Sequence, residues 1–376
     1  MGHSAAGIIF SSLNDNTFSR LTANRTVAAI PFACRYRLID FALSNMVNAN
    51  ISNINIVTNY NYRSLLEHIG SGKDFDLARR SGGITFISPF QSSYKNDVKI
   101  FKSRMEALKS MYEYIEELKE EFVVLSDCDT VLNIDFQDVI KYHEVSEASV
   151  TFVTKTIGTD YSSKTPRIMI SSSLGNVADI SLSNTFNPKN PELSLNIFVM
   201  KTEKLKKIVN FAIYHSENSL TSFFLSAYKK EKFVSYNYNG FVASVTGFSD
   251  YYNSSMELVK SSYARESLFG KKEAPILTKV HNSAPTYHTE HAKVKNSMIA
   301  DECVIKGEVS NSILFRGVYV GEGSVVKNSI LFHGTYLEDG VQLDYILTDK
   351  DVRISRGVTL SGNLNMPFYV QKGKKV

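Results

Sequence analysis

The sequence predicts an α/β domain with a mostly parallel sheet, followed by a parallel β-helix. Two observations predict this architecture. Up to about residue 265, apolar runs of strand length alternate with segments of helical periodicity, which is typical of a parallel sheet covered by helices on both sides. From about residue 294, short apolar residues recur about every six positions, which is the period of hexapeptide β-helix repeats.

The composition limits the classes of protein to which the chain can belong. Its 376 residues are too many for one ordinary core and predict two domains. The three cysteines are an odd number without Cys-x-x-Cys spacing, which argues against a disulfide framework and a zinc site. The net charge of +4, without a basic stripe interleaved with aromatics, argues against nucleic acid binding. No apolar run approaches the roughly 20 residues of a membrane span, and no leader opens the chain, so we expect a cytoplasmic protein that does not contact the membrane.

The elements of the first domain follow from apolar runs and from helical spacing. Strands are predicted at residues 5–10, 54–58 and 121–126, where apolar runs are bounded by polar residues. A helix is predicted over residues 105–119, because its apolar residues share one face. These residues are Met105, Leu108, Met111, Tyr112 and Ile115.

Two of the predicted strands end in segments that bear on ligand binding, since ligands of such sheets bind beyond the carboxyl ends of the strands. The first strand is followed by residues 11–17, which contain no glycine and no cation, and in which Asp15 would repel a phosphate. Backbone N–H groups close on a phosphate most readily where residues lack a Cβ atom. The third strand is followed by Asp127, Cys128 and Asp129. The sequence therefore predicts a ligand-binding edge without a phosphate-binding turn.

The second domain is predicted from its repeat. The motif Asn-Ser-Ile-Leu occurs at 311–314 and again at 328–331, which we interpret as positions one coil apart. A β-meander or sandwich is the alternative, but strict alternation over longer strands is missing. We expect domains at residues 1–265 and 291–376, joined by a linker at 266–290 that contains two Ala-Pro pairs. Glycines are expected at the corners of the coils: Gly317, Gly321, Gly323, Gly334, Gly340 and Gly357.

Residues 21–45 form a recognisable pattern. The stretches LTANR at 21–25 and FACRYRLIDFALSN at 32–45 resemble, without a gap, the LTxxRAKPA and FGGKxRxIDFxLSN signatures of the bacterial ADP-glucose pyrophosphorylase (glucose-1-phosphate adenylyltransferase) family. The resemblance extends over nearly the whole chain. It implies a Rossmann-like nucleotidyltransferase domain, a left-handed parallel β-helix, and a role in glycogen biosynthesis.

The chain departs from this family where the family handles phosphate charge. The three glycines of the family's first turn align with Ser12, Leu13 and Asp15, and its arginine aligns with Thr17. The lysine of its RAKP signature aligns with Val27. Nucleotidyl transfer depends on positioning and on neutralising the developing charge, which valine and threonine do not do.

The family's Mg²⁺ ligands and its sugar pocket are altered as well. Of the two aspartates that hold Mg²⁺ in the family, one aligns with Asp129 and the other with Ser244. Mg²⁺ is usually bound by one or two carboxylates together with substrate phosphates, so we expect a degraded metal site with Asp129 as its remnant, although a turn-forming acid is an equal alternative. Ser194 aligns with a serine of the family's sugar pocket, which implies a substrate-like pocket there. The glycine of that motif is replaced by Asn196, which narrows the floor of the pocket.

Two arginines of the signature are retained. In the related bacterial enzymes, basic residues of this stretch belong to an anionic effector site between the catalytic and β-helix domains, which implies that role for Arg25 and Arg37. The further cations of the family align with Asn24 and Pro31, so the site has fewer charges. The alternative for each arginine is a salt bridge that fixes its loop.

The resemblance and the departures together imply a function. We expect a regulatory, non-catalytic subunit that has no catalytic residue of its own, associates with a catalytic paralogue in a hetero-oligomer, and senses an anionic sugar phosphate. One alternative is an active sugar-1-phosphate nucleotidyltransferase with a divergent phosphate loop. Another is a hexapeptide-repeat acyltransferase with His333 as its base.

Overall fold

The computed structural model describes residues 3–11, 13, 20–78, 82–89 and 100–376. Its first part, up to residue 269, contains helices and strands that alternate along the chain. The strands of this part are β1 (Ala5–Phe10), β2 (Pro31–Phe32), β3 (Tyr36–Arg37), β4 (Asn53–Val57), β5 (Gly83–Ile87), β6 (Phe122–Asp127), β7 (Thr130–Val131), β8 (Val150–Thr156), β9 (Ser162–Ser173), β10 (Asn176–Thr185), β11 (Glu192–Lys201), β12 (Phe233–Asn237) and β13 (Ala243–Ser244). The helices are α1 (Leu38–Asn48), α2 (Arg63–Ile69), α3 (Arg104–Ser110), α4 (Tyr112–Glu117), α5 (Phe136–Val145), α6 (Thr202–Tyr214), α7 (Leu220–Ala227), α8 (Phe248–Lys260) and α9 (Ser262–Phe269).

A nine-stranded sheet forms the centre of this part, in the order β5-β4-β1-β6-β11-β8-β12-β10-β9. The strands β5, β4, β1 and β6 are parallel to one another, whereas β11 pairs antiparallel with both β6 and β8. In the other half of the sheet, β8 and β12 pair in parallel, and β10 pairs antiparallel with both β12 and β9. The predicted α/β class with a mostly parallel sheet is confirmed, because β10 and β11 are the two strands of this sheet that run opposite to the other seven.

The helix predicted over residues 105–119 is divided into α3 and α4 at Met111. The predicted apolar face is nevertheless buried at Met105, Leu108, Met111 and Ile115. The Ser110 hydroxyl donates to the Ala107 carbonyl at 2.7 Å. Such side-chain bonds to the preceding turn compete with the helical hydrogen bonds and bend a helix, which accounts for the division.

The second part is a parallel β-helix made of three five-stranded sheets. Each coil contributes one strand to each sheet. These strands are β14 (Tyr287–His288), β15 (Lys293–Lys295), β16 (Met298–Ile299), β17 (Val304–Ile305), β18 (Glu308–Ser310), β19 (Ile313–Leu314), β20 (Tyr319–Val320), β21 (Val325–Lys327), β22 (Ile330–Leu331), β23 (Tyr336–Leu337), β24 (Gln342–Asp344), β25 (Ile346–Thr348), β26 (Arg353–Ile354), β27 (Thr359–Ser361) and β28 (Phe368–Val370).

The repeated Asn-Ser-Ile-Leu motif determines how successive coils stack. Ile313 pairs with Ile330, so the two copies lie one coil apart, as predicted. The backbone N–H of Ser329 donates to the Ser312 hydroxyl at 3.1 Å, which links the two coils. Asn328 has a φ of +44°, and asparagine tolerates this left-handed conformation better than most residues with a side chain. At Gly321, a Cβ would lie 2.7 Å from the backbone carbon of Glu338, so only glycine fits that corner.

The two parts share one apolar cluster. Tyr251 and Tyr252 of α8 are fully buried in it. The Tyr251 hydroxyl donates to the Pro31 carbonyl at 2.6 Å, and the Tyr252 hydroxyl donates to the Asn328 carbonyl of the β-helix. Phe315 and Phe332 of the β-helix pack against each other within the same cluster. The β-helix is therefore packed directly onto the α/β part.

The segment between α9 and β14 has no regular structure, but it is fixed to α1. The backbone N–H of Leu277 donates to the Ser44 hydroxyl at 2.8 Å, and the Thr278 hydroxyl donates to Asp40 at 2.6 Å. Within the described ranges, no helix has the length and apolar character that crossing a bilayer would require.

Candidate functional site

The carboxyl ends of β1 and β6 lie side by side in the sheet, because these strands are parallel neighbours with Phe10 opposite Asp127. The first strand is followed by Ser11, whose backbone N–H and hydroxyl both donate to the Val57 carbonyl of β4, at 2.9 and 2.8 Å. Leu13 packs against the apolar core. Ser12, Asp15 and Thr17, the other aligned turn positions, lie outside the described residues.

Val27 belongs to a 3₁₀ turn, Val27–Ala29, and is 3% exposed. It contributes to the apolar cluster that joins the two parts of the molecule. Together with Leu13, Asp127 and Asp129, it lines a cavity of about 10 Å³. That volume holds one water molecule at most. The position that the alignment equates with a lysine thus lies in an apolar wall.

The two aspartates at the end of β6 both face arginines. Nε of Arg104, the first residue of α3, donates to Asp127 Oδ1 at 2.9 Å, and its Nη2 donates to Oδ2. Asp129 accepts from the Thr130 hydroxyl at 3.2 Å, and its Oδ2 lies 3.7 Å from Nη1 of Arg167 on β9. Burial raises the pKa of Asp129, and the Arg167 guanidinium opposes that rise. Two positive charges therefore lie against the two carboxylates.

Ser244, which aligns with the second metal-binding aspartate, lies close to Asp129. It pairs with Thr130 between β13 and β7, and the next residue, Val245, donates its N–H to the Asp129 carbonyl at 2.7 Å. The fold thus brings the two aligned positions together, although only one of them is acidic. Within the described part of the chain, no group of three or more His, Cys, Asp or Glu residues is placed to hold a metal ion.

A larger cavity, of about 190 Å³, lies beside the smaller one and shares Asp129 with it. Its walls are predominantly polar, and the residues that line it are Arg104, Asp129, Thr165, Pro166, Arg167, Ile168, Leu182, Asn196, Thr221 and Thr246.

One of the two aligned sugar-pocket positions, Asn196, lines this larger cavity. Asn196 lines the cavity with a φ of +56°, at an irregularity in the pairing of β11 with β8. Ser194 lies two residues earlier, is fully buried, and accepts a hydrogen bond from the Asn196 N–H at 3.3 Å. Ser194 therefore supports the turn, and Asn196 meets the cavity.

Arg25 lies in the contact between the α/β part and the β-helix. Its Nη2 donates to Asp349 Oδ1 at 2.6 Å, and both side chains are only 4% exposed. Its Nη1 is buried without a hydrogen-bond partner among the described residues. Its guanidinium also lies 6.0 Å from the centre of the Phe332 ring. Asp349 accepts further bonds from the Lys350 N–H at 2.7 Å and the Tyr369 hydroxyl at 2.8 Å.

Arg37 is the residue that precedes α1, and its Nη1 donates to the Ser64 carbonyl and hydroxyl at 2.5 and 2.9 Å. Burial lowers the pKa of Arg37 to about 10; the Asp40 carboxylate opposes that shift, and the charge of Arg25 adds to it. Burial, with Arg37 and Arg25, likewise lowers the pKa of Lys350 to about 8. Each of these three cations therefore lies in the field of the others.

His333 faces the same group of cations. Burial, followed by the charges of Lys350, Arg37, Arg316 and Arg25, lowers its pKa to about 2. Its Nδ1 is buried without a hydrogen-bond partner among the described residues. A histidine with such a low pKa is neutral at physiological pH and is a weak proton acceptor, which disfavours the acyltransferase alternative.

Several residues at these sites have no signal in the sequence. Arg104 and Arg167 are isolated arginines in a chain with 42 lysines and arginines. Asp349 and Lys350 belong to the β-helix, more than 300 positions from Arg25. Only the fold brings them together, and no spacing rule connects positions so far apart.

Comparison with known proteins agrees with the division of the chain into an α/β part and a β-helix. Residues 16–164 match the nucleotidyl transferase family, and residues 281–366 match the GlmU-like C-terminal hexapeptide family. The chain is 35% identical to the glycogen biosynthesis protein GlgD of Bacillus subtilis, over 98% of this chain and 95% of that protein. It is 31% identical to GlgD of Geobacillus stearothermophilus, over 99% and 97%. It is 26% identical to the glucose-1-phosphate adenylyltransferase of Mycoplasma mobile, over 82% and 80%.

Two whole-length relatives above 30% identity, together with a nucleotidyl transferase match and a hexapeptide match in the expected order, establish the relationship. The chain belongs to the bacterial glucose-1-phosphate adenylyltransferase (ADP-glucose pyrophosphorylase) family and is of the GlgD type.

Proposed function

We propose that this chain is a regulatory, non-catalytic subunit of glucose-1-phosphate adenylyltransferase in glycogen biosynthesis. The proposal rests chiefly on the sheet edge. There Val27 lies in an apolar wall at the aligned lysine position, and the adjoining cavity measures about 10 Å³. A nucleoside triphosphate does not fit in such a space.

The chemistry of the reaction supports this reading. Transfer of a nucleotidyl group requires cations and backbone N–H groups directed at the charge that develops on the phosphates. Arg104 is a cation at this edge, but it bonds Asp127 through two nitrogens. The Asp127 carboxylate therefore neutralises the Arg104 guanidinium, which leaves little positive charge to stabilise a substrate phosphate.

The residues present do not fit the Mg²⁺ ion that the family uses. Mg²⁺ requires near-octahedral oxygen ligands at about 2.0–2.1 Å. Both oxygens of Asp127 accept from Arg104, and Asp129 faces Arg167 at 3.7 Å. A divalent cation would have to displace a guanidinium from this pair of acids, and Ser244 offers no third carboxylate. The proposal therefore includes a degraded metal site, of which Asp129 is the remnant.

The proposed regulatory site lies in the contact between the two parts of the chain. Arg25 has a buried Nη1 without a partner in the described residues, and its charge adds to the burial that lowers the pKa of Arg37 and of Lys350. Buried positive charge in excess of negative charge is costly unless an anion neutralises it. An anionic sugar phosphate is the effector we propose for this site.

The proposal also includes a catalytic paralogue as partner and a cytoplasmic location. It divides the chain at the predicted positions, with domains at 1–265 and 291–376. Phe368 and Met366 in the last coil of the β-helix are 48% and 69% exposed, and among the described residues β14, β15 and β16 at one end and β27 and β28 at the other are paired on one side only. Terminal coils of a solenoid need a cover, and a subunit of the same family would supply it.

The decisive experiment measures adenylyl transfer from ATP to glucose 1-phosphate by this chain alone, by its catalytic paralogue alone, and by the two mixed. We expect no turnover by this chain. We expect the mixture to differ from the paralogue alone by about 5- to 150-fold in an apparent affinity, which is the range of common allosteric couplings.

The Arg25→Gln variant tests the regulatory site in the same mixture, and Arg63→Gln is its matched control because that guanidinium is 91% exposed. We expect only the first variant to change the response to sugar phosphates. Robust turnover by this chain alone would instead favour the second candidate, an active nucleotidyltransferase with a divergent loop. The retained Asp129 beside a cavity of about 190 Å³ is the observation in favour of that candidate.

A further inference from the structure

Residues 371–376 follow β28 and extend the β-helix beyond its fifth coil. The chain turns at Gly373, which has a φ of +68° and donates its N–H to the Lys350 carbonyl at 2.9 Å. Lys375 then pairs in parallel with Arg353 of β26. We call residues 374–376 the cap strand, because they lie on the side of β26 that faces away from β23.

Three backbone hydrogen bonds join the cap strand to β26 and the residue that follows it. The Arg353 N–H donates to the Lys374 carbonyl at 3.0 Å, and the Val376 N–H donates to the Arg353 carbonyl at 3.0 Å. The Ser355 N–H donates to the Val376 carbonyl at 2.8 Å. The Val376 side chain packs against the apolar core of the β-helix. The cap strand is therefore a sixth strand of the sheet that runs from β14 to β26.

The other two sheets of the β-helix have no sixth strand among the described residues. Their last strands are β27 and β28, and each is paired on one side only. The surface at this end of the β-helix is therefore stepped, because one sheet extends beyond the other two by one strand spacing of about 4.8 Å.

This step affects how a second copy of the chain can stack on the β-helix. At the opposite end, β14, β15 and β16 are the open strands of the same three sheets. A second copy that continued the solenoid would place its β14 against β26, its β15 against β27 and its β16 against β28. The cap strand already occupies the first of these positions, and the step holds the other two pairs of strands apart.

We propose that the cap strand prevents head-to-tail stacking of copies of this chain. An unpaired strand edge is a template for pairing with another chain, and short edge strands that carry lysine protect against such pairing. Lys374 and Lys375 are both exposed, so the cap strand presents a charged edge of its own. The excluded partner is a second copy, because head-to-tail contacts between identical solenoids do not close and produce open filaments. This role is independent of the proposed regulatory function.

The test is sedimentation velocity of the wild-type chain and of a variant that lacks residues 371–376, each over a range of protein concentrations. We expect the average mass of the variant to exceed that of the wild-type chain by at least about twofold and to rise with concentration, because the freed β26 edge pairs with β14 of the next copy. Circular dichroism shows whether the variant is folded.

Val376→Pro provides the test if the deletion variant does not fold. Proline has no N–H to donate to the Arg353 carbonyl, so the cap strand should loosen and the mass should rise, though less than expected for the deletion. Lys375→Pro is the matched control. Lys374 and Val376 bond β26, so the N–H of Lys375 between them is directed away from β26, and its loss should leave the mass unchanged.

A substitution in the first coil tests which strands join the copies. The N–H groups of Tyr287 and Thr289 donate to the carbonyls of Cys303 and Ile305, at 2.9 and 3.0 Å. The N–H of His288, between them, is therefore directed to the open edge of β14. His288→Pro in the deletion variant removes this donor, and we expect it to return the mass to that of the wild-type chain.

A wild-type mass at every concentration would overturn the inference if it is found for a folded deletion variant, or for folded Val376→Pro where the deletion does not fold. A rise in mass that His288→Pro does not reduce would also overturn it, since the copies would then be joined elsewhere. An equal rise in mass for Lys375→Pro and Val376→Pro would show that pairing with β26 is not the cause.

Discussion

At the sheet edge beyond β1 and β6, Asp127 and Asp129 each face an arginine, so the four charges of these described side chains are matched in sign. At the contact with the β-helix, three cations, Arg25, Arg37 and Lys350, share a buried region with two carboxylates, Asp349 bonded to Arg25 and Asp40 beside Arg37. The charges at the sheet edge neutralise one another, whereas the contact with the β-helix retains an excess of positive charge. A site without net charge is poorly suited to transfer of a phosphate-bearing group, whereas a cationic contact between two rigid parts can respond to an anion.

The largest effect is expected from breaking the charge pair at the contact. Arg25→Met leaves Asp349 buried without its cation, which costs about 3–5 kcal/mol for pairs of this kind. Urea unfolding monitored by circular dichroism measures the change. The double variant with Asp349→Asn is expected to recover much of the loss. If the double variant loses as much free energy of unfolding as the two single variants lose in total, the two side chains do not interact.

Acid is expected to weaken the same contact through His333. Its folded-state pKa of about 2 lies below the ordinary value of 6.5, so the unfolded chain binds a proton that the folded chain excludes in this window. Stability from a neutral His333 is therefore complete above pH 6.5 and decreases as the pH falls. The loss at pH 5 is up to about 2 kcal/mol.

Unfolding midpoints of the wild-type chain and of His333→Asn, measured between pH 7.5 and 5, test this expectation. The variant should have the flatter profile. His291→Asn is the matched control, since that side chain is 82% exposed, and its profile should follow that of the wild-type chain. Parallel profiles for His333→Asn and the wild-type chain would refute the assignment of the acid sensitivity to this residue.

A smaller effect is expected from one neutral hydrogen-bond donor at the contact. The Tyr369 hydroxyl lies 2.8 Å from Asp349 Oδ2 and 3.0 Å from the Arg20 carbonyl. Tyr369→Phe should cost about 1–3 kcal/mol, toward the lower end because the carboxylate keeps other partners. Tyr263→Phe is the control, because Tyr263 is 60% exposed. An unchanged urea midpoint for Tyr369→Phe would show that the Tyr369 hydroxyl does not stabilise the buried Asp349 carboxylate.

The smallest effect is expected where the charges are matched. Val27→Lys restores the aligned cation to the sheet edge, but the adjoining cavity of about 10 Å³ and the closed Arg104–Asp127 pair remain. Adenylyl transfer should stay at the level of a blank without protein. Val27→Met is the control for size without charge, and its melting temperature indicates whether the fold tolerates the larger side chain. Turnover in the lysine variant would show that one cation is all that this edge lacks.

The sequence by itself determined the order and type of the elements. Apolar runs of strand length placed β1, β4 and β6, because a strand buried on both faces needs a continuous apolar segment. The Asn-Ser-Ile-Leu repeat gave the coil spacing, because identical residues one coil apart stack on each other. The absence of a phosphate-binding turn, and of a lysine at the position of Val27, could also be predicted from the sequence, since both are local departures from a continuous signature. The division of the helix at Met111 was not predicted, because the side-chain bond from Ser110 does not alter the apolar periodicity.

Only the tertiary structure decided which charges meet. Arg104 and Asp127 are 23 residues apart, and Arg25 and Asp349 are 324 apart. Neither separation corresponds to a helical or strand period, so no local pattern relates the partners. Asn196 illustrates the same point at short range, because its place in the cavity wall depends on the irregular pairing of β11 with β8. Electrostatic energy depends on distance and burial in three dimensions, and both were set by how the sheet and the β-helix pack together.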